Sequence, residues 1–152
     1  MNASKNGHDE EYMPVVAALA PVLYNLPPKI IAIDGRPGSG KTTLGRFLAW
    51  WFNVSLVETD HFLFEGEGLY RYRTGEIQRI IQIRLDRNLP VIVEGVTVLR
   101  QLATMNLAAD FMIYVDNAAA PTFRREYEAQ LAKYEAEFEP RQRADFTLAL
   151  DH

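Results

Sequence analysis

Between Ile30 and Phe52 the chain reads IIAIDGRPGSGKTTLGRFLAWWF: an apolar run, a glycine-rich turn, and a second apolar run at helical spacing. That order prescribes a strand, a tight loop and a helix. Gly35, four residues, Gly40, Lys41 and Thr42 match the phosphate-binding loop pattern, in the strand-to-helix setting the pattern requires. Gly35, Gly38 and Gly40 permit positive φ and close backbone approach, so that amide N–H groups converge on phosphate oxygens where a helix adds its positive end. Lys41 is placed to reach the β and γ phosphates and Thr42 to ligate a magnesium ion. Arg36, Pro37, Ser39 and Thr43 complete the loop; Pro37 stiffens it, and Thr43 suits a capping or packing role. The expected ligand is a nucleoside triphosphate with Mg2+. The bland alternative is a glycine-rich turn with no ligand.

The 152 residues fit one domain, since domains most often run to about 100–150 residues. We divide the chain into a tail and packing helix over 1–28 and a core over 29–152. Hydrophobic residues make up 48% and charged residues 24%, enough apolar material for a sheet covered on both faces. A net charge of −4 argues against binding to a nucleic-acid backbone. The absence of cysteine removes disulfides and thiolate metal sites. No apolar run approaches ~18 residues and Met1 to Asp9 has no signal-peptide character, so the expectation is a cytoplasmic protein without a membrane partner. A homodimer is left open.

Tyr12, Val15, Val16, Leu19, Val22, Leu23 and Leu26 recur at helical spacing, with Pro14 suited to a first turn, Pro21 to a kink or early end, and Pro27-Pro28 to a stop. After the loop helix come VSLV (54–57), VIV (91–93), FMIYV (111–115) and FTLAL (146–150), each a strand candidate. Helical stretches separate them over 76–87, 97–105 and 121–138, which indicates a parallel sheet with helices on both sides. Trp50 and Trp51, at the end of the loop helix, are expected in the core. Gly66 and Gly68 mark an irregular segment after the second strand.

Two carboxylates fall at strand ends: Asp60 in Glu58-Thr59-Asp60, and Glu94 in VIVEG. In an open α/β sheet a ligand lies outside the carboxyl ends of the strands, so both should face Lys41 and Thr42. One acid would hold magnesium while the other accepts the proton of an attacking hydroxyl. We assign Asp60 as the base and Glu94 as the metal-side acid with substrate contact; the alternative is that either acid caps the next helix. Arg124 and Arg125 are the arginines best placed to stabilise a transferred phosphoryl group, with Arg141 and Arg143 as a second pair. Arg71 and Arg73, interleaved with Tyr70 and Tyr72, would clamp the acceptor. His61 is read as a packing or substrate-contact residue.

On these residues the chain resembles the uridine kinase-like branch of the P-loop nucleoside and nucleotide kinases. IIAIDGRPGSGKTTL is similar to that group's first strand and loop, ETDHF to its Asp-x-Phe segment, VIVEGV to its third-strand Glu-Gly, and DFMIYVD with Arg124-Arg125 to its fourth strand and arginine-bearing lid. The resemblance implies an α/β three-layer sandwich with a five-stranded parallel sheet of order 2-3-1-4-5. It also implies Asp60 as base and magnesium neighbour, and lid arginines on the phosphates. The stretch between Asp60 and Val91 is short and lacks the family's longer nucleoside-binding hairpin, and the lid lacks the usual dense arginine cluster with a following Asp. The leading reading is therefore an ATP- and Mg2+-dependent kinase acting on a hydroxyl or phosphate of a small metabolite. The others are a non-catalytic ATP- or GTP-binding regulator, and a phosphotransferase acting on an antibiotic or a protein.

Overall fold

The structure is a computed structural model and describes residues 9–64 and 71–152. Residues 1–8 of the expected tail, and Gly66, Gly68 and Tyr70 of the irregular segment, lie outside the described residues. In chain order the elements are α1 (Asp9–Leu19), β1 (Ile30–Gly35), α2 (Lys41–Phe52), β2 (Ser55–Glu58), a 3-10 turn (Thr59–Phe62), α3 (Thr74–Asp86), β3 (Val91–Gly95), α4 (Val98–Thr104), β4 (Phe111–Asn117), α5 (Arg125–Phe138), α6 (Pro140–Arg143) and β5 (Phe146–Leu150). The five strands form one sheet of order β2-β3-β1-β4-β5, with every pairing parallel. Among the described residues no helix is long and apolar enough to cross a membrane.

Why the strands are nearly continuous apolar runs follows from this order. A parallel strand with helices on both faces has no solvent side, so alternation disappears. β1 and β3 are buried at every position. Ile31 and Ile33 of β1 pack with Leu44 and Leu48 of α2 and with Val15, Val16 and Leu19 of α1. Ile30 and Ala32 face the opposite layer, with Ile77 and Ile81 of α3, Val98 and Leu102 of α4, and Tyr134 of α5. The resulting three layers put the carboxyl ends of β1 and β3 side by side, with Ile33 paired to Glu94 and Asp34 to Gly95.

Two acids help to start the strands. The Ile30 amide donates to Asp110 Oδ2 and the Met112 amide to Asp145 Oδ2, both at 2.8 Å. Each carboxylate takes up an edge amide that the ladder leaves without a partner.

Several expectations are corrected. α1 ends at Leu19, the early end expected at Pro21, but Pro14 lies inside it rather than in a first turn. Leu23 still packs into the core, from a turn in which Asn25 and Leu26 have positive φ. α5 begins at Arg125, not Pro121, and Glu128 Oε1 receives the Phe123 amide at 2.9 Å just ahead of it. Trp50 and Trp51 are not core residues: they are 74% and 45% exposed. The buried stripe of α2 is Lys41, Leu44, Gly45 and Leu48, so positions 50 and 51 face outward, where they gather around Phe47 with ring centroids 6.2 and 5.8 Å away.

That difference is measurable by chemical denaturation. Leu48→Ala should cost about 2–5 kcal/mol, as for other fully buried leucines, whereas Trp50→Lys should stay within about 0.5 kcal/mol of the parent.

Candidate functional site

The loop that joins β1 to α2 is shaped for an anion. Gly38 and Gly40 have φ of 75° and 98°, conformations that residues with a side chain rarely adopt. Gly35 is needed for a different reason than its φ: a Cβ there would lie 2.6 Å from Ser39 Oγ and 2.9 Å from the Val115 carbonyl oxygen. Gly40 is the N-cap of α2 and supplies no side-chain cap, so the helix's first amides face the loop. The Ser39 hydroxyl is buried in the same loop without a hydrogen-bond partner.

Lys41 opens α2 and is only 4% exposed. Its ammonium acts electrostatically on two buried acids, Asp34 at the end of β1 and Glu94 at the end of β3. The Thr42 hydroxyl donates to Glu94 Oε1 at 3.0 Å, while Glu94 Oε2 is buried with no hydrogen-bond partner among the described residues. Burial raises the Glu94 pKa; Lys41 and Thr42 oppose that shift, and the charges of Asp60 and Glu58 add to it. The Asp60 contribution places that carboxylate within electrostatic reach of Glu94, as its position at a strand end suggests.

On the β2 side the acids divide by environment. Glu58 accepts from Arg46 Nε at 2.5 Å and lies 3.4 Å from His61 Nε2. Asp60 is exposed in the 3-10 turn and makes no ion pair among the described residues. Asp60, His61, Leu63, Phe64 and Arg73 line an open depression of about 440 Å³. Its floor is a short antiparallel pairing: Leu63 bridges Tyr72, the Phe64 amide donates to the Arg71 carbonyl at 2.9 Å, and the Arg73 amide to the Phe62 carbonyl at 2.8 Å. Arg71 lies over the Phe64 ring and Arg73 over the Phe62 ring, each at 5.9 Å, and Arg73 Nη2 donates to the His61 carbonyl at 3.0 Å. The arginines are thus held at the rim of the depression that contains Asp60.

The arginines on the other side behave differently. Arg124 and Arg125 are exposed at the start of α5 and make no ion pair among the described residues. Arg141 is engaged by both carboxylate oxygens of Asp116 and lies over the Tyr114 ring at 5.1 Å. Arg143 donates to the Phe138 carbonyl at 3.4 Å. The residues that join α5 to the loop are others, which sequence reasoning missed. Arg36 donates from Nη1 to Glu128 Oε2 at 2.7 Å and from Nε to Glu135 Oε1 at 2.8 Å. The Tyr134 hydroxyl donates to Asp34 Oδ2 and accepts from the Leu99 amide at 3.2 Å, while Asp34 Oδ1 accepts from the Gly35 amide at 2.7 Å. The available signals were an aspartate inside an apolar strand, and Glu128 and Glu135 on one face of a helix.

No family model matches the chain. A shikimate kinase from Corynebacterium diphtheriae is 32% identical over 107 residues, which are 63% of this chain and 61% of that protein. The chain therefore spans less than two thirds of this relative. Among solved structures, a possible uridine kinase from Bacillus stearothermophilus superposes with a TM-score of 0.61 at 16% identity, covering 91% of this chain and 99% of that one. A sugar kinase from Janibacter sp. HTCC2649 reaches 0.56 at 18% identity, over 81% and 84%. A shikimate kinase from Acinetobacter baumannii in complex with shikimate reaches 0.51 at 20% identity, over 88% of each chain. The chain has the P-loop kinase fold, with the sheet order that its resemblance to uridine kinase-like proteins implies.

Asp34 is 1% exposed, and burial raises its pKa to about 8 against the pull of Tyr134, the Gly35 amide and Lys41. The folded protein then keeps a proton that the unfolded chain releases above its ordinary pKa of 3.8, so this group lowers stability as pH rises from about 4 to about 8. In Asp34→Asn the difference in unfolding free energy between pH 5 and pH 8 should shrink, as read by denaturant titration at both pH values. An unchanged difference would mean that Asp34 is ionised in the folded state.

Proposed function

We propose that this protein is a small-molecule kinase that transfers the γ-phosphoryl group of ATP to a hydroxyl or phosphate of an acceptor held beside Asp60. The observation that carries the reading is the convergence at one sheet edge of a glycine loop, a buried lysine, and the Thr42–Glu94 hydrogen bond whose second carboxylate oxygen is left over. A gap lined by amides, an ammonium and a hydroxyl fits a polyphosphate.

Magnesium fits the same donors. Among the described residues no three acids or histidines form a metal cage, as suits an ion bound by one or two carboxylates together with phosphates. Thr42, Glu94 and Asp60 are the residues that would hold it. When bound it supplies charge neutralisation at the phosphate oxygens. The chain's own residues do the rest. Loop amides and Lys41 orient the polyphosphate, Asp60 accepts the acceptor's proton, and Arg71, Arg73 and His61 position the acceptor. Arg124 and Arg125 would approach the transferred group from the start of α5.

The acceptor class is supported by the similar proteins, whose names refer to uridine, sugar and shikimate. All are small hydroxylated ring compounds. The depression beside Asp60 has room for such a ring, with an aromatic edge in Phe64 and cationic rims in Arg71 and Arg73.

A screen of hydroxylated metabolites for ADP release tests the reading. With the best acceptor, Asp60→Asn should lower turnover about 10²–10⁴-fold, the range for general-base catalysis, with ATP binding retained. Turnover equal to that of the parent would remove Asp60 from the role of base.

A further inference from the structure

The phosphate loop is flanked by two depressions, and the proposed function uses only one. Lys41, Thr42 and Glu94 draw the γ end of a bound polyphosphate toward β3, β2 and Asp60. β4 and β5 lie on the opposite side of β1. The remainder of the triphosphate must therefore leave over the ends of β4 and β5. There a second depression, of about 170 Å³, is lined by Gly38 of the loop, Thr43 of α2, Asn117 and Leu150 at the strand ends, Tyr12 of α1, and His152. Its chemistry differs from that of the first: among the described residues its lining side chains are aromatic, aliphatic, hydroxyl and amide, and none is acidic.

The second depression is built rather than incidental. Asn117 Nδ2 donates to the Ser39 and His152 carbonyl oxygens at 3.0 Å each, and its Oδ1 accepts from the Ala119 amide at 2.9 Å. One side chain thus ties the phosphate loop, the residues after β4 and the residues after β5 around the same space. The Tyr12 ring is 4% exposed and fixed against Phe47, with centroids 5.1 Å apart. His152 Nε2 lies 2.9 Å from both carboxylate oxygens of Glu11, the neighbour of Tyr12 on α1. The walls of this depression that do not belong to the sheet, the loop or the first turn of α2 therefore come from α1 and from the residue α1 holds.

We infer that α1 is part of the nucleotide site: Tyr12, with His152 held by Glu11, contacts the nucleoside moiety of the bound triphosphate. The inference rests on the kinase reading above for the triphosphate itself, and adds that a helix preceding the first strand sets how tightly the nucleoside end is held. The exposed aromatic surface is the His152 ring, while the buried Tyr12 offers its edge and fixes the wall behind it. A planar base gains from such a ring whatever its hydrogen-bonding edge, so the contact contributes to affinity more than to the choice of base.

The test compares ATP with inorganic tripolyphosphate, which fills the loop but has no nucleoside, by calorimetric titration in the presence of Mg2+. The surface variant His152→Ala should weaken ATP binding about five- to tenfold, a loss in the range of one stacked base, and Tyr12→Leu, which removes only an edge contact, should weaken it by about two- to threefold. Tripolyphosphate affinity should stay within about twofold of the parent by the same argument. Unchanged ATP affinity in both variants would overturn the inference. So would an equal loss for ATP and tripolyphosphate, which would mean that the variants only disturb the loop. If the parent protein binds neither ligand, the kinase reading fails first and takes the inference with it, an outcome visible before any variant is made.

Discussion

A lysine ammonium held almost out of water between two buried acids is the constraint around which this structure is arranged. An isolated charge in that position would be strongly unfavourable, and Lys41 is tolerated because Glu94 lies within its field, with Asp34 beside it as a second acid whose proton burial retains. The acids are there because β1 and β3 are adjacent and in register, with Asp34 opposite Gly95 and Ile33 opposite Glu94. The lysine is there because α2 starts immediately after a loop that only glycines at positions 38 and 40 can close. Topology, loop conformation and charge balance are therefore a single requirement. A sheet order that separated β1 from β3 would leave the lysine without Glu94.

That requirement also shapes the opposite layer. Asp34 cannot be solvated, so its second oxygen is satisfied by the hydroxyl of Tyr134, which in turn accepts from the first turn of α4. Arg36, one residue past β1, reaches the same helix through Glu128 and Glu135. α5 is fastened to the phosphate loop along its length, while residues 118–124 ahead of it are irregular and mostly exposed. Freedom to move is greatest where contacts are fewest, so any closure over the phosphates that carries Arg124 and Arg125 is expected to bend that connection and leave the helix in place.

Much of this was legible in the sequence, and the residues show why. The loop, all five strands and the placement of Asp60 and Glu94 follow from local patterns: glycine spacing, apolar runs, and acids directly after them. What escaped depends on partners far apart in the chain. Arg36 was read as part of the loop, yet its side chain belongs to a glutamate pair about ninety residues away. Tyr134 falls inside the helical stretch expected over 121–138 with nothing local to single it out, but its hydroxyl completes Asp34 across 100 residues. Trp50 and Trp51 were placed inside on hydrophobicity, where helical phase, set by Leu44 and Leu48, turns them outward. Hydropathy says how apolar a residue is; only the phase of the element says which way it points.

The three acids near the loop show how environment assigns work to chemically similar groups. Glu58 has its charge taken up by Arg46 and faces His61, so it is occupied as a structural anion. Glu94 is fully buried, one oxygen committed to Thr42 and the other left over, which suits an acid that coordinates rather than one that exchanges protons with solvent. Asp60 is exposed, sits at the mouth of the larger depression, and makes no ion pair among the described residues. On the proposed kinase reading a base must reach its substrate and then return its proton to water, and of these three acids Asp60 is the exposed one. The sequence places Asp60 two residues after Glu58, and the 3-10 turn that follows β2 separates their roles: the Glu58 side chain turns back to α2, and Asp60 is left facing the depression where an acceptor would lie.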